Sequence, residues 1–231
     1  MSARRTVGLL EGALFIARKD LTIEYRTRSA FLAAVVFSLL AIVIFYFTWD
    51  PTAVPAFDLA PGVLWVSFAF SSLLGLHRSF GVEQAEHAMD ALLSAPIPRE
   101  SIFLGKALAN LLFVLCVQAV SIPALALFYN VSLVGVAAPL AGIAVLAAIG
   151  LVAVGTLFSA VAANTRLAEL LLPMLSLPFF VPIIVPAAQI TAKLLAGRPI
   201  AEASAWLKIL LAFDLVITFA CTIAYPYTLE E

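Results

Sequence analysis

The sequence predicts an all-α, polytopic membrane protein with six transmembrane helices. An N-terminal interfacial amphipathic helix, a short cytoplasmic helix between spans 2 and 3 and a broken far-side segment before the last span complete the expected architecture. Three observations carry it. Of 231 residues, 64% are hydrophobic and only 12% charged, with a mean hydropathy of +1.10; a soluble domain is about a quarter charged. Six apolar stretches recur, and a spanning helix needs about 20 such residues. Finally, ten of the thirteen basic residues lie on one side of the resulting topology and three on the other, which puts both termini in the cytoplasm. The whole chain, 1–231, reads as a single transmembrane domain.

Residues 4–28 open the chain. Val7, Leu10, Leu14, Ala17 and Leu21 recur at helical steps, with Arg4, Glu11 and Arg18 on another side. That pattern suits a helix lying in the membrane interface, apolar face towards the lipid. Span 1 is expected at Ala30–Trp49 and acts as an uncleaved anchor, since Arg18, Lys19, Asp20 and Glu24 interrupt any leader-like run before it. Trp49 followed by Asp50-Pro51 marks its interfacial end. Span 2 is expected at Gly62–Leu76, extending at one end or the other. Span 3 covers Ile102–Tyr129, with Pro123 inside it and Gln118 and Ser121 needing protein partners. A turn at 130–132 leads to span 4, Leu133–Ala163, long enough to tilt. Gly155, Ser159 and Ala163 form a small-xxx-small stripe there for close helix packing, within the chain or between subunits.

Span 5 starts near Leu170. Pro173, Pro178, Pro182 and Pro186 fall within fourteen residues, and each removes a helical donor. The expectation is a helix that breaks, with a separate segment near Pro186–Leu195 on the far side. Span 6 follows at Ala205–Tyr225.

The interval between spans 2 and 3 is a cytoplasmic loop, 77–101. Gln84–Leu93 has the periodicity of a short amphipathic helix. Met89, Leu92 and Leu93 share one face, and Glu83, Glu86, His87 and Asp90 lie mostly on another. Ala95-Pro96-Ile97-Pro98 stops it. A short amphipathic helix held at a membrane surface suits docking on a soluble partner; an ordinary polar loop is the plainer reading.

The composition excludes much chemistry. Leu104-Gly105-Lys106-Ala107 lacks the upstream glycine and the hydroxyl of a phosphate-binding loop. There is no HExxH, CxxC or GxSxG, and the net charge of −1 gives no argument for nucleic acid. Cys116 and Cys221 sit in apolar runs as structural thiols. Asp214 is the one carboxylate well inside a span, a functional candidate or a satisfied structural group. His77 reads as a polar anchor at the end of span 2, with haem ligation as the alternative. Lys106 is expected to snorkel to lipid phosphates.

Taken together, these residues resemble the haem exporter protein B (CcmB) family of ABC-2-type permeases. The resemblance is carried by Ala17-Arg-Lys-Asp-Leu-Thr-Ile-Glu-Tyr-Arg26, Gly62-Val-Leu-Trp-Val66, Gly75-Leu-His-Arg-Ser-Phe80 with Glu83, and Gly105-Lys106 with Asn110. It continues through Ala153-Val-Gly-Thr-Leu-Phe-Ser-Ala160, Thr165-Arg166, Glu169-Leu-Leu-Leu-Pro173, Pro178 and Pro182. It implies a non-enzymatic permease of cytochrome c maturation in a bacterial inner membrane. ATP is bound by a separate P-loop ATPase subunit, in two copies, docking on Glu83, Glu86, Met89, Asp90, Leu92 and Leu93. A haem-handling maturation protein, a small membrane subunit and a second permease copy are the other implied partners, in contact with membrane lipid. No cofactor is expected to be bound by this chain; haem is handled by the complex. Export of another substrate, such as a lipid, polysaccharide or drug, or a non-transporting scaffold, are the competing readings.

Overall fold

The structure, a computed structural model, describes residues 8–85, 98–163 and 168–229. Among these residues there are seven α-helices and no strand. Helix α1 is Leu9–Thr27, α2 Ser29–Thr48, α3 Ala56–Ala85, α4 Arg99–Phe128, α5 Ala137–Ala163, α6 Ala168–Leu195 and α7 Ser204–Ala224. Short 3₁₀ turns at Ile200–Ala203 and Tyr225–Leu229 flank the last helix. Six helices, α2 to α7, are long and apolar enough to cross a membrane.

Arg28 alone separates α1 from α2. Its backbone is left-handed (φ 54°), and its N–H donates to the Glu24 carbonyl. The Glu24 carboxylate accepts from the Phe31 N–H at 2.8 Å, so one residue of α1 caps the first turn of α2. At the other end of α2, the Tyr46 ring lies 5.7 Å from both Phe128 and Tyr129, and the Trp49 ring 5.3 Å from Tyr129. This aromatic cluster has the composition of an interfacial belt. Beside it, the Thr52 hydroxyl and N–H donate to Asp50 and hold its carboxyl below the usual range.

Helix α3 is longer than the expected 62–76 at both ends. Pro61 lies in its second turn, so it forgoes the one helical bond to the Phe57 carbonyl close to the helix start. Helix α4 ends as its composition dictates. Asn130 is left-handed (φ 51°), the Tyr129 N–H donates to the Leu125 carbonyl, and the Val131 N–H reaches back to the Ala126 carbonyl, the geometry of a Schellman cap. Helix α5 starts at Ala137 rather than Leu133, because Gly135 (φ 80°) turns the chain first.

The expected break inside the proline run is not there. Helix α6 continues through Pro173, Pro178, Pro182 and Pro186 to Leu195. The last three prolines are four residues apart and so share one stripe. Their missing hydrogen bonds stack on that stripe, while the opposite side keeps its ladder. The interruption comes later, at Gly197 (φ 72°), where the Arg198 N–H caps the Lys193 carbonyl and a 3₁₀ turn follows.

Helix α5 is the hub and packs on α3, α4, α6 and α7. Its Ala147, Ala148, Leu151, Val154 and Thr156 are fully buried. Lipid is as apolar as these side chains, so close approach and hydrogen bonds between helices hold the bundle together. The Trp65 indole N–H donates to Thr191 Oγ1 at 3.0 Å, Ser38 to Ser121 at 2.8 Å, and Asn110 Nδ2 to Thr156 Oγ1 at 3.1 Å. These three bonds tie α3 to α6, α2 to α4 and α4 to α5.

Candidate functional site

The helices on either side of the expected 77–101 loop are the two longest, α3 and α4, at 30 residues each, and they take up 77–85 and 99–101 of that interval. At about 1.5 Å per residue each is about 45 Å long. Each therefore exceeds the thickness of the hydrocarbon core. Glu86, Met89, Asp90, Leu92 and Leu93 lie outside the described residues. His77 and Glu83, which the expected loop included, fall on the last turns of α3 instead.

What is described at this end is a clamp between α1 and the first turns of α4. Three contacts form it along one line. The Ser101 hydroxyl donates to the Leu9 carbonyl at 2.9 Å. One turn on, Gly105 leaves the space that lets the backbones touch: a Cβ there would meet the Ala13 carbonyl and the Ile16 side chain. Next to it, Lys106 is fully buried and its ammonium faces the Asp20 carboxylate at 3.4 Å. Lys19 flanks the same carboxylate at 3.1 Å. The inner face of α1 is Gly12, Ala13, Ile16 and Ala17. Leu10 and Leu14 remain exposed, one turn apart on a strip beside that face.

Lys106 therefore does not snorkel outward. Its stem is enclosed between helices and its charge is met by an acid from α1. Lys19, Asp20, Gly105 and Lys106 sit within two stretches that looked distinctive in the sequence, Ala17–Arg26 and Gly105–Asn110, whereas Leu9, Ala13, Ile16 and Ser101 lie outside them. No local periodicity pairs them, because the partners are 86 residues apart.

Gly155 and Ser159 of α5 lie against Leu76 of α3. Leu76 fills the space a side chain at Gly155 would need, and the Ser159 hydroxyl donates to the Leu76 carbonyl at 3.1 Å. Ala163, the third residue of the stripe, ends α5. This seam runs to the same end of α3 that enters the loop.

A crevice between α3 and α4 is lined by Phe68, Ser71, Ser72, Phe113, Val114, Val117 and Gln118, and it is too narrow to admit a water molecule. Ordinary small-molecule sites have about 300–1,000 Å³. Ser72 and both ends of the Gln118 amide have no hydrogen-bond partner among the described residues. Among the described residues no three His, Cys, Asp or Glu side chains converge as metal ligands would.

Against known proteins, the family model described as CcmB protein matches residues 12–231. Heme exporter protein B of Paracoccus denitrificans is 32% identical over 180 residues, 78% of this chain and 82% of that protein. The Rhodobacter capsulatus protein of the same name is 28% identical over 185 residues, 76% and 80% of the two chains. That of Pseudomonas aeruginosa is 27% identical over 210 residues, 89% and 92%. With a helical membrane fold and a match running from α1 to its last residue, this chain belongs to the CcmB family.

Proposed function

We propose that this chain is the permease subunit of an ABC-type export complex in cytochrome c maturation. It couples ATP hydrolysis in a separate subunit to export of haem, or to release of a haem-loaded chaperone outside the membrane. Family membership supports the haem pathway, since the relatives are named heme exporter protein B. The observation that carries the coupling role is the frame around the 77–101 loop. Two rods of 30 residues each flank it, and α1 is clamped to the start of the second. A push on the loop is delivered to α3 and α4 along their axes, and α1 moves with α4. Bistable interfaces convert such small displacements into discrete states.

In this reading both termini face the cytoplasm, the chain sits in a bacterial inner membrane, and it catalyses no reaction itself. Two ATPase subunits dock on Glu83, Glu86, Met89, Asp90, Leu92 and Leu93. A second permease copy, a haem-handling maturation protein and a small membrane subunit complete the assembly. Haem is cargo of the complex, and His77 serves as an anchor of α3.

A pull-down from native membranes in gentle detergent, with partners identified by mass spectrometry, tests this. Recovery of a P-loop ATPase together with haem-handling maturation proteins is expected. An ATPase alone would redirect the permease to another substrate. Neither, from a well-folded sample, would favour a scaffold. Replacing Met89, Leu92 and Leu93 by charged residues should abolish ATPase recovery while membrane insertion stays intact. His77→Ala should leave cytochrome c assembly nearly normal; complete loss with stable protein would restore haem ligation.

A further inference from the structure

The buried residues of α7 are Leu210, Asp214 and Cys221. Spacings of four and seven put them on one stripe. Asp214 is the eleventh of 21 residues, so an ionisable group stands at mid-span in the helix's one buried seam. Only 3% of it is exposed. Opposite it in α5 is Gly150, and the space a side chain would need there is taken by Asp214 Oδ1, with Ile183 of α6 closing the flank. Neither carboxyl oxygen has a hydrogen-bond partner among the described residues.

Among the described side chains, the neighbouring elements bring no charge to this point. Helix α5 has no ionisable side chain between Ala137 and Ala163. On α6, Glu169 stands in the first turn, fourteen residues before Ile183, and Lys193 lies ten residues beyond Ile183 and donates to the Glu202 carbonyl at 2.7 Å. On α7, Lys208 is exposed. Helix α4 carries Arg99, Glu100 and Lys106 in its first two turns, with Lys106 held by Asp20, and Cys116 at its surface. In the flanking 3₁₀ turns Glu202 faces Arg198, and Tyr225 and Tyr227 come at the far end of the span. The remaining titratable group near the seam is Cys221 itself. A bare carboxylate buried among apolar groups is costly without a counter-charge or donors, whereas a neutral acid is far less so.

We propose that Asp214 is a proton-binding site at the centre of the α5–α7 contact. Helix α7 seats on Gly150 with the carboxylic acid protonated. When the O–H bond breaks, the proton passes to water, and the resulting carboxylate parts α7 from α5 until water solvates it. Gly150 makes the seated state possible, and the absence of a fixed partner keeps the group free to exchange its proton. The proposal stands independently of what the complex transports.

Cys221 is a native reporter, since it lies on the same stripe and is buried in the seated state. The test uses the full chain in lipid nanodiscs with Cys116→Ser, comparing maleimide labelling of Cys221 with and without Asp214→Asn across pH. Thiol ionisation raises labelling in both. The expected result is an additional several-fold rise with pH in the protein carrying Asp214 alone. Coincident profiles would overturn the proposal. Should Asp214→Asn fail to fold, dicyclohexylcarbodiimide decides with the native residue in place. A protonated acid adds across its C=N bond, oxygen to carbon and proton to nitrogen. A peptide adduct on Asp214 that declines as pH rises is expected, and no adduct at any pH would sink the idea.

Discussion

Lys106 and Asp20 set the terms at the scale of single residues. A fully enclosed ammonium meets a carboxylate that is 16% exposed, so the two partners are not equivalent. Lys106→Met replaces the charge by an apolar stem of similar length and leaves Asp20 beside Lys19 and water. Asp20→Asn instead takes the carboxylate from a buried cation, and breaking a buried pair in this way costs about 3 kcal/mol. Thermal unfolding in detergent should therefore show Asp20→Asn as clearly the more damaging change, with Lys106→Met near neutral. Both residues were visible in the sequence as charges near span ends. Their pairing was not, because an outward snorkel and an inward ion pair have the same local pattern. Asp214 was legible for the opposite reason: a lone acid in the middle of an apolar run has no surface to reach. Gly150, which receives it, carried no signal, since a glycine in a membrane helix is commonplace.

Elements were easier to foresee than their ends. Apolar length located all six spans, and Trp49 marked the end of α2 within a residue. The C-terminal run of α3 was underestimated because its last turns are polar, and hydropathy stops counting where the membrane does. The proline run misled for a clear reason. Counting four helix breakers ignores that three share a stripe and leave the other side of the ladder whole. Pro182→Ala restores an N–H facing the Pro178 carbonyl. The distance between spin labels at Leu170 and Ala196 should then lengthen as the helix straightens; an unchanged distance would show that packing alone shapes α6. The α1–α4 clamp depends on the gap at Gly105. Gly105→Leu should cost about 1–3 kcal/mol by overpacking and release α1, seen as rapid proteolysis at Arg18 and Arg26.

For the whole molecule, α5 is the fixed centre and the loop-bearing rods α3 and α4 lie against it. The charge bias of the connections gave an orientation for this bundle. The family resemblance implied a partner for the face that carries the 77–101 interval, and the match from residue 12 onward bears out the family. The 77–101 loop is the part on which the proposed coupling turns. Loss of ATPase recovery on charging Met89, Leu92 and Leu93, with unchanged insertion, is the expected outcome at this scale.

The clamp also bears on how the chain is made. Leu9 and Asp20 meet Ser101 and Lys106 across 92 and 86 residues respectively. During synthesis, α1 leaves the ribosome long before its binding groove exists, at a pace of about 5–20 residues per second. Through the insertion of α2 and α3, its Asp20 and its small-residue face have nothing to seat on. Seating of α1 is thus a late event that reports correct placement of α4. A nascent chain halted before Ser101 should keep α1 open to protease, and one halted after Phe128 should protect it, making this joint a natural checkpoint for biogenesis.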